Sequence, residues 1–325
     1  MPKYAFVVCT DNTYASHAGT CIFSLLLSTV NRDFDIHVVG VGLDDHHKSK
    51  YLYLSKIFHV QIYIHEASSL LSIFADKNQR HRDHRAPHLS DTALIRLLYA
   101  SVIDQSYDRL AYIDCDVVFL GDAVSIFGQD LGDSIIGAVP DLIAARQSNS
   151  DKEFGCEYFN SGILLIDDKR WRAEGLQSLL LDILGKADPQ ILQYADQDIL
   201  NLHFRKIGYA KLPVTYNYQY MATTRNVLAP DGISPEQAVI VHFAGQIKPW
   251  QEWVPPFYSK LYDQFRLLSP WANQYQRQRP EGLHQLGLGF DSLVHQRRFS
   301  EACIYSAKLI ETLKAENARL RRAKV

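Results

Sequence analysis

Apolar residues in the first two hundred positions follow two rhythms. Short β-branched runs at residues 4–8, 34–41 and 60–64 read as buried strands. Between them, residues 18–28 carry apolar side chains on helical spacing, and residues 44–57 form a helix with a polar face. Asp91 is placed to cap a helix over residues 92–101, and residues 109–113 follow as a central strand. Further strands are predicted at 117–120, 135–139 and 162–166, and further helices at 170–184 and 196–204. This alternation predicts an α/β domain, a mostly parallel sheet flanked by helices.

Two stretches break the rhythm. Residues 76–90 are dense in Arg, His, Asp and Asn with no apolar period, which predicts a loop. Its His81, His84 and His88 sit among arginines that would repel a cation, so a solvated loop is favoured over a metal cluster. From residue 280 onward, Phe299, Cys303, Ser306, Ile310, Leu313, Asn317 and Leu320 fall on a 4-3 spacing. That spacing fits a short coiled-coil seam with Asn317 setting a two-stranded register. It fits equally an amphipathic helix docked on its own domain, because a helix of this length relies on tertiary packing.

Charge sharpens this division. The chain of 325 residues has a net charge of −2, so no global field would hold it to nucleic acid. Residues 271–325 hold 10 Lys or Arg against 5 Asp or Glu, while residues 1–270 hold 24 against 31, so a basic tail follows an acidic body. Cys9, Cys21, Cys115, Cys156 and Cys303 show no metal-ligand spacing, which favours free thiols and a cytoplasmic setting. With no run of about 18 apolar residues, any membrane contact is expected to be peripheral.

The chemistry gathers in two segments. In Leu110-Ala111-Tyr112-Ile113-Asp114-Cys115-Asp116-Val117-Val118-Phe119-Leu120, a buried strand ends in two carboxylates one residue apart. Such acids at the C-terminal edge of an open α/β sheet repel each other and call for a divalent cation. An isolated Asp-x-Asp is usually a turn or a helix cap, and the apolar strand on both sides is what strengthens this one. In the second segment, a second apolar strand, Ala238-Val239-Ile240-Val241, runs into His242-Phe243-Ala244-Gly245-Gln246-Ile247-Lys248-Pro249-Trp250. Here a metal-ligating imidazole, a glycine that admits close backbone approach and a phosphate-reaching lysine lie within seven residues.

These two segments, with Tyr158-Phe159-Asn160-Ser161-Gly162-Ile163-Leu164-Leu165-Ile166 and Asp196-Gln197-Asp198-Ile199-Leu200-Asn201, occur in an order that resembles the family 8 retaining glycosyltransferases. That group includes bacterial lipopolysaccharide galactosyl- and glucosyltransferases and the glycogenins. The resemblance covers about residues 4–255. It implies a GT-A fold that uses a UDP-sugar, UDP-glucose or UDP-galactose, with Mn²⁺ or Mg²⁺. By motif position, Asp114, Asp116 and His242 would ligate the metal, and Gly245 and Lys248 would contact the diphosphate. Cys9, Thr10, Asp11 and Tyr14 would hold uridine, with Cys115 beside the donor. Arg96, Asn160, Ser161, Asp196 and Gln197 would surround the transferred sugar, and Asp141 falls where the family has an acceptor-side acid.

On this reading residues 1–255 are the GT-A catalytic domain, and residues 256–325 a helical, aromatic and basic extension. Trp250, Trp253, Phe257, Tyr258, Trp271 and Tyr275 precede the basic tail, a combination that resembles a membrane-facing end; a helical cap on the catalytic domain is the alternative. The expected acceptor is a glycan, lipopolysaccharide or another lipid-linked saccharide. A self-glucosylating primer using some of the 18 tyrosines, and a non-catalytic protein that oligomerises through its tail, are the rival readings. Gln197 is a poor nucleophile, which favours front-face attack by the acceptor hydroxyl.

Overall fold

The computed structural model describes residues 3–73, 91–142, 157–188, 192, 194 and 196–322. The loop histidines at 81, 84 and 88, Cys156 and the side chains of Asp91 and of the seam position Leu320 lie outside what is described.

A seven-stranded sheet, ordered β3-β2-β1-β4-β7-β6-β8, forms the centre. Its strands are β1 (Tyr4–Asp11), β2 (Asp35–Val41), β3 (Ile62–Glu66), β4 (Arg109–Ile113), β6 (Ile136–Pro140), β7 (Phe159–Ile166) and β8 (Ala210–Lys211). The first four are mutually parallel, while β7 runs antiparallel to both β4 and β6. The inner residues of β1 are buried without interruption, because a parallel strand covered on both faces has no solvent side. Helices α1 (Ala15–Ser28) and α2 (Asp45–Phe58) cover one face, and the layer containing α5 (Asp196–Ile207) covers the other.

Two expected helices change form. Residues Asp91–Ser101 wind as a 3-10 helix that buries Leu94, Ile95, Leu97 and Leu98, so core packing on several sides overrides the usual preference for a wider helix. The single helix expected over 170–184 is two, α3 (Asp168–Ala173) and α4 (Leu176–Lys186), because Gly175 adopts φ +62° between them.

The chain leaves the large sheet at Asp114-Cys115-Asp116. It re-enters structure as β5 (Val117–Phe119), in a three-stranded sheet with β9 (Tyr218–Gln219) and β12 (Ile240–His242), ordered β5-β12-β9; β10 (Met221–Ala222) and β11 (Val227–Leu228) pair as a short antiparallel ribbon between β9 and β12 in sequence. The acid pair thus bridges two sheets. Nearby, β7 loses register with β6 between Gly137 and Val139, a bulge that re-aims Asn160, Ser161 and Gly162.

Behind the small sheet lies α6 (Pro256–Arg266), followed by a pair of helices, α7 (Gly282–His295) and α8 (Phe299–Arg322). Trp250, Trp253, Tyr258 and Trp271 are buried, and of the six late aromatics only Phe257 is largely exposed. The aromatic run is therefore core, and its membrane-facing reading is corrected: Trp250, Tyr258 and Trp271 pack among α6, α1 and the small sheet, while Trp253 packs against the last two helices. Helix α8 docks through Ala302 and Tyr305 onto Trp253, Leu286 and Leu293. Its 4-3 stripe is left outward, with Phe299 59%, Ile310 49% and Leu313 43% exposed.

Candidate active site

Each site residue is delivered by a strand end or by the first turn of a helix. Asp114 follows β4, Asp116 precedes β5 and His242 ends β12, and antiparallel pairing places His242 opposite Val117. Ligand atoms of Asp114, Asp116 and His242 all lie within 4.8 Å of one another. His242 Nε2 stands 3.4 Å from Asp116 Oδ1 and 3.9 Å from Asp114 Oδ2. Gly162 makes this approach feasible: a Cβ there would lie 2.2 Å from His242 Cε1 and 3.0 Å from Asp114 Oδ2.

Two cations flank the acids. Arg96 donates to Asp114 Oδ1 at 2.7 Å, pairs with Asp196 Oδ2 at 3.0 Å and lies over the Tyr112 ring. Lys248 pairs with Asp116 and donates to the Phe243 carbonyl at 3.0 Å. Burial acts to raise the Asp116 carboxyl, but Lys248 and then His242 outweigh it and hold that group well below the usual carboxylate range. Asp196 goes the other way, pushed by burial up to about 6 in spite of Arg96. Burial also pushes the Cys9 thiol up to about 12, so it offers no thiolate.

On the sugar side of the expected site, the Ser161 backbone N–H donates to Gln197 Oε1 at 3.0 Å, and the Ser161 hydroxyl lies 3.3 Å from Asp196 Oδ2. Asp141 Oδ2 accepts from Asn160 Nδ2 at 3.1 Å and from Gln197 Nε2 at 3.4 Å. Asp198 accepts from the Tyr158 hydroxyl and the Tyr194 backbone N–H. At the end of β1, the Cys115 thiol donates to the Cys9 carbonyl at 3.0 Å. The Tyr14 N–H donates to Asp11 Oδ1 at 2.9 Å, and the Thr10 hydroxyl to the Asp11 carbonyl at 3.0 Å. The Tyr14 ring is 39% exposed and meets the edge of Trp250, which itself stacks on His17 at 3.6 Å. Gly245, at φ +80°, turns the chain beside Met221 between His242 and Lys248. The sixteen residues expected from the sequence are thus linked, by these contacts or through chain neighbours, around the ends of β1, β4, β7 and β12.

Sequence reading missed Asn217 and Gln219. Asn217 Oδ1 lies 3.0 Å from His242 Nδ1, and Gln219 holds the Asp141 segment through Pro140 O at 2.8 Å and Leu142 N–H at 2.7 Å. The signal was the alternation Tyr216-Asn217-Tyr218-Gln219-Tyr220, whose polar members are as buried as its aromatic ones.

The chain belongs to glycosyl transferase family 8, whose sequence pattern it matches over residues 5–254. It is 28% identical over 278 residues to general stress protein A of Bacillus subtilis, an alignment covering 82% of this chain and 93% of that protein. It is 24% identical over 312 residues to a lipopolysaccharide 1,2-glucosyltransferase of Escherichia coli, covering 92% and 88%. The crystal structure of the galactosyltransferase LgtC with donor and acceptor sugar analogues superposes with a TM-score of 0.68 at 22% identity, covering 83% of this chain and 99% of that one. The architecture is the α/β GT-A fold with C-terminal helices, as the sequence led one to expect.

Proposed function

We propose that the chain moves a hexose, glucose or galactose, from a UDP-sugar to a hydroxyl of a glycan acceptor with retention at the anomeric carbon. The observation that carries this reading is the convergence of Asp114, Asp116 and His242 beside Lys248. Two carboxylate oxygens and one imidazole nitrogen suit Mn²⁺ or Mg²⁺, and the missing side chain at Gly162 keeps their common space open. When bound, the ion would neutralise the diphosphate and stabilise charge on the departing UDP.

Other steps fall to the chain itself. Lys248 exchanges Asp116 for a phosphate oxygen, while Gly245 lets the backbone approach the diphosphate. Cys9, Thr10, Asp11, Tyr14 and Cys115 frame the nucleoside. Arg96, Asn160, Ser161, Asp196 and Gln197 orient the sugar, and Asp141 faces the acceptor. The carboxylates of Asp141, Asp196 and Asp198 are already engaged by donors, which supports front-face attack by the acceptor hydroxyl over a covalent glycosyl-enzyme. Gln197→Ala is then expected to slow transfer without abolishing it, and a glycosyl adduct trapped on any of these residues would contradict the mechanism.

The acceptor is proposed to be lipopolysaccharide or another lipid-linked saccharide, met on the cytoplasmic side of a membrane; the named Escherichia coli glucosyltransferase supports this. Residues 1–255 are assigned the chemistry and residues 256–325 a role in location or assembly, supported by the outward stripe of α8. UDP release from UDP-glucose and UDP-galactose is the test. Release of UDP with Mn²⁺ and its loss in EDTA are expected, and no release from any UDP-sugar would overturn the reading. Growth in intact mass with UDP-glucose alone would replace the glycan acceptor with the protein's own tyrosines.

A further inference from the structure

We infer that Asn217 is a positioning residue that fixes the tautomer of His242, an inference that rests on the proposed metal-binding role of that histidine. The Gly162 backbone N–H can only donate. It donates to Asn160 Oδ1 at 3.0 Å, which sets the orientation of the Asn160 amide. The Asn160 NH₂ then faces Asp141 Oδ2 at 3.1 Å, as a carboxylate requires. The second group on Asn160 Oδ1 is the Asn217 amide at 3.0 Å, and an acceptor there must be met by NH₂. This leaves Asn217 Oδ1 toward His242 Nδ1 at 3.0 Å, so Nδ1 carries the hydrogen. The lone pair of neutral His242 consequently sits on Nε2, the atom facing Asp114 and Asp116.

No amide in this chain can be flipped alone. Turning Asn217 would set its carbonyl oxygen against the Asn160 carbonyl oxygen, with water excluded, since Asn160 and Asn217 are both buried. The same relay ties the acid expected on the acceptor side, Asp141, to the imidazole expected at the metal, through two asparagines. A ligand imidazole whose other nitrogen is so held keeps both its ring orientation and its basicity, and loss of such a partner weakens metal affinity.

Two measurements on the whole chain test this without assaying turnover. In ¹⁵N-histidine-labelled metal-free protein, at a pH where the ring carries one proton, His242, assigned against His242→Gln, is expected to carry it on Nδ1. A singly protonated ring with the hydrogen on Nε2 and Nδ1 bare would overturn the inference whatever the variants do. By electron paramagnetic resonance titration with Mn²⁺ alone, Asn217→Leu is expected to bind about 10–100-fold more weakly than wild type. A folded Asn217→Leu protein that binds Mn²⁺ within about twofold of wild type would overturn it, because a merely structural asparagine would lower melting temperature and leave affinity alone. If Asn217→Leu does not fold, the wild-type spectrum still decides. Should wild type bind no Mn²⁺, the metal reading fails separately, and the tautomer measurement continues to test the relay.

Discussion

Gly162 shows how one absent side chain can decide a site. Its position inside an apolar strand gives no turn or helix end to explain it, and the explanation is contact: a methyl group there would press on His242 and Asp114. Both neighbours belong to a buried, hydrogen-bonded cluster and have little room to yield. Gly162→Ala is therefore expected to lower Mn²⁺ affinity by at least ~10-fold in a folded protein; unchanged affinity in a direct titration would contradict the crowding argument. Titration behaviour is also a property of single residues. Burial lowers His37 to about 3, with His65 and Arg172 adding to it, and burial with Arg266 lowers His17 to about 3. Both hold less proton folded than unfolded, so their contribution is present above about 6.5 and is lost as pH falls from there toward 3. Asp196, raised by burial to about 6, opposes them by stabilising the fold as pH falls from 6 toward its ordinary value. Two histidines against one carboxyl leave a net loss of roughly 2–3 kcal/mol between pH 7.5 and 5. Urea midpoints at those two pH values measure it, and a midpoint that rises on acidification would reverse the assignment.

At the scale of elements, the tail separates what a pattern can say from what packing decides. The 4-3 spacing correctly announced a long helix, yet α8 docks by Ala302 and Tyr305, which lie off that stripe. Trp253 and the face of α7 supply the partner surface, and nothing in the local sequence of α8 encodes them. The Ser292 hydroxyl and the Gln296 amide also bond the Trp253 carbonyl, at 3.0 and 2.7 Å, so the hairpin covers Trp253. Deleting residues 280–325 should uncover Trp253 and cost about 3–5 kcal/mol, lowering the melting temperature by several degrees or more. UDP release measured below the new transition should persist, since no residue of the proposed site is removed. An unchanged melting temperature would show the hairpin to be loosely tethered. Strand positions were read within a few residues because burial imposes continuous apolar runs, as in β1. The break at Gly175 and the tight winding of Asp91–Ser101 depend on tertiary context, so the periodicity did not show them.

Across the whole molecule, the site is a product of topology. Four segments far apart in sequence meet because β4 hands the chain to the small sheet through Asp114-Cys115-Asp116, β12 pairs beside it, and β7 bulges toward both. Motif order identified the participants, while the relay through Asn217 came only from their assembly. On the proposed function, Asp114, Asp116 and His242 hold a divalent ion on which sugar transfer from a UDP donor depends. The most direct measurement is UDP release by Asp116→Ala, folded as judged by its melting transition, beside wild type with Mn²⁺ and with EDTA. A loss of ~10³-fold or more is expected in the variant and in wild type with EDTA; full activity of the variant in EDTA would contradict a metal-dependent transfer.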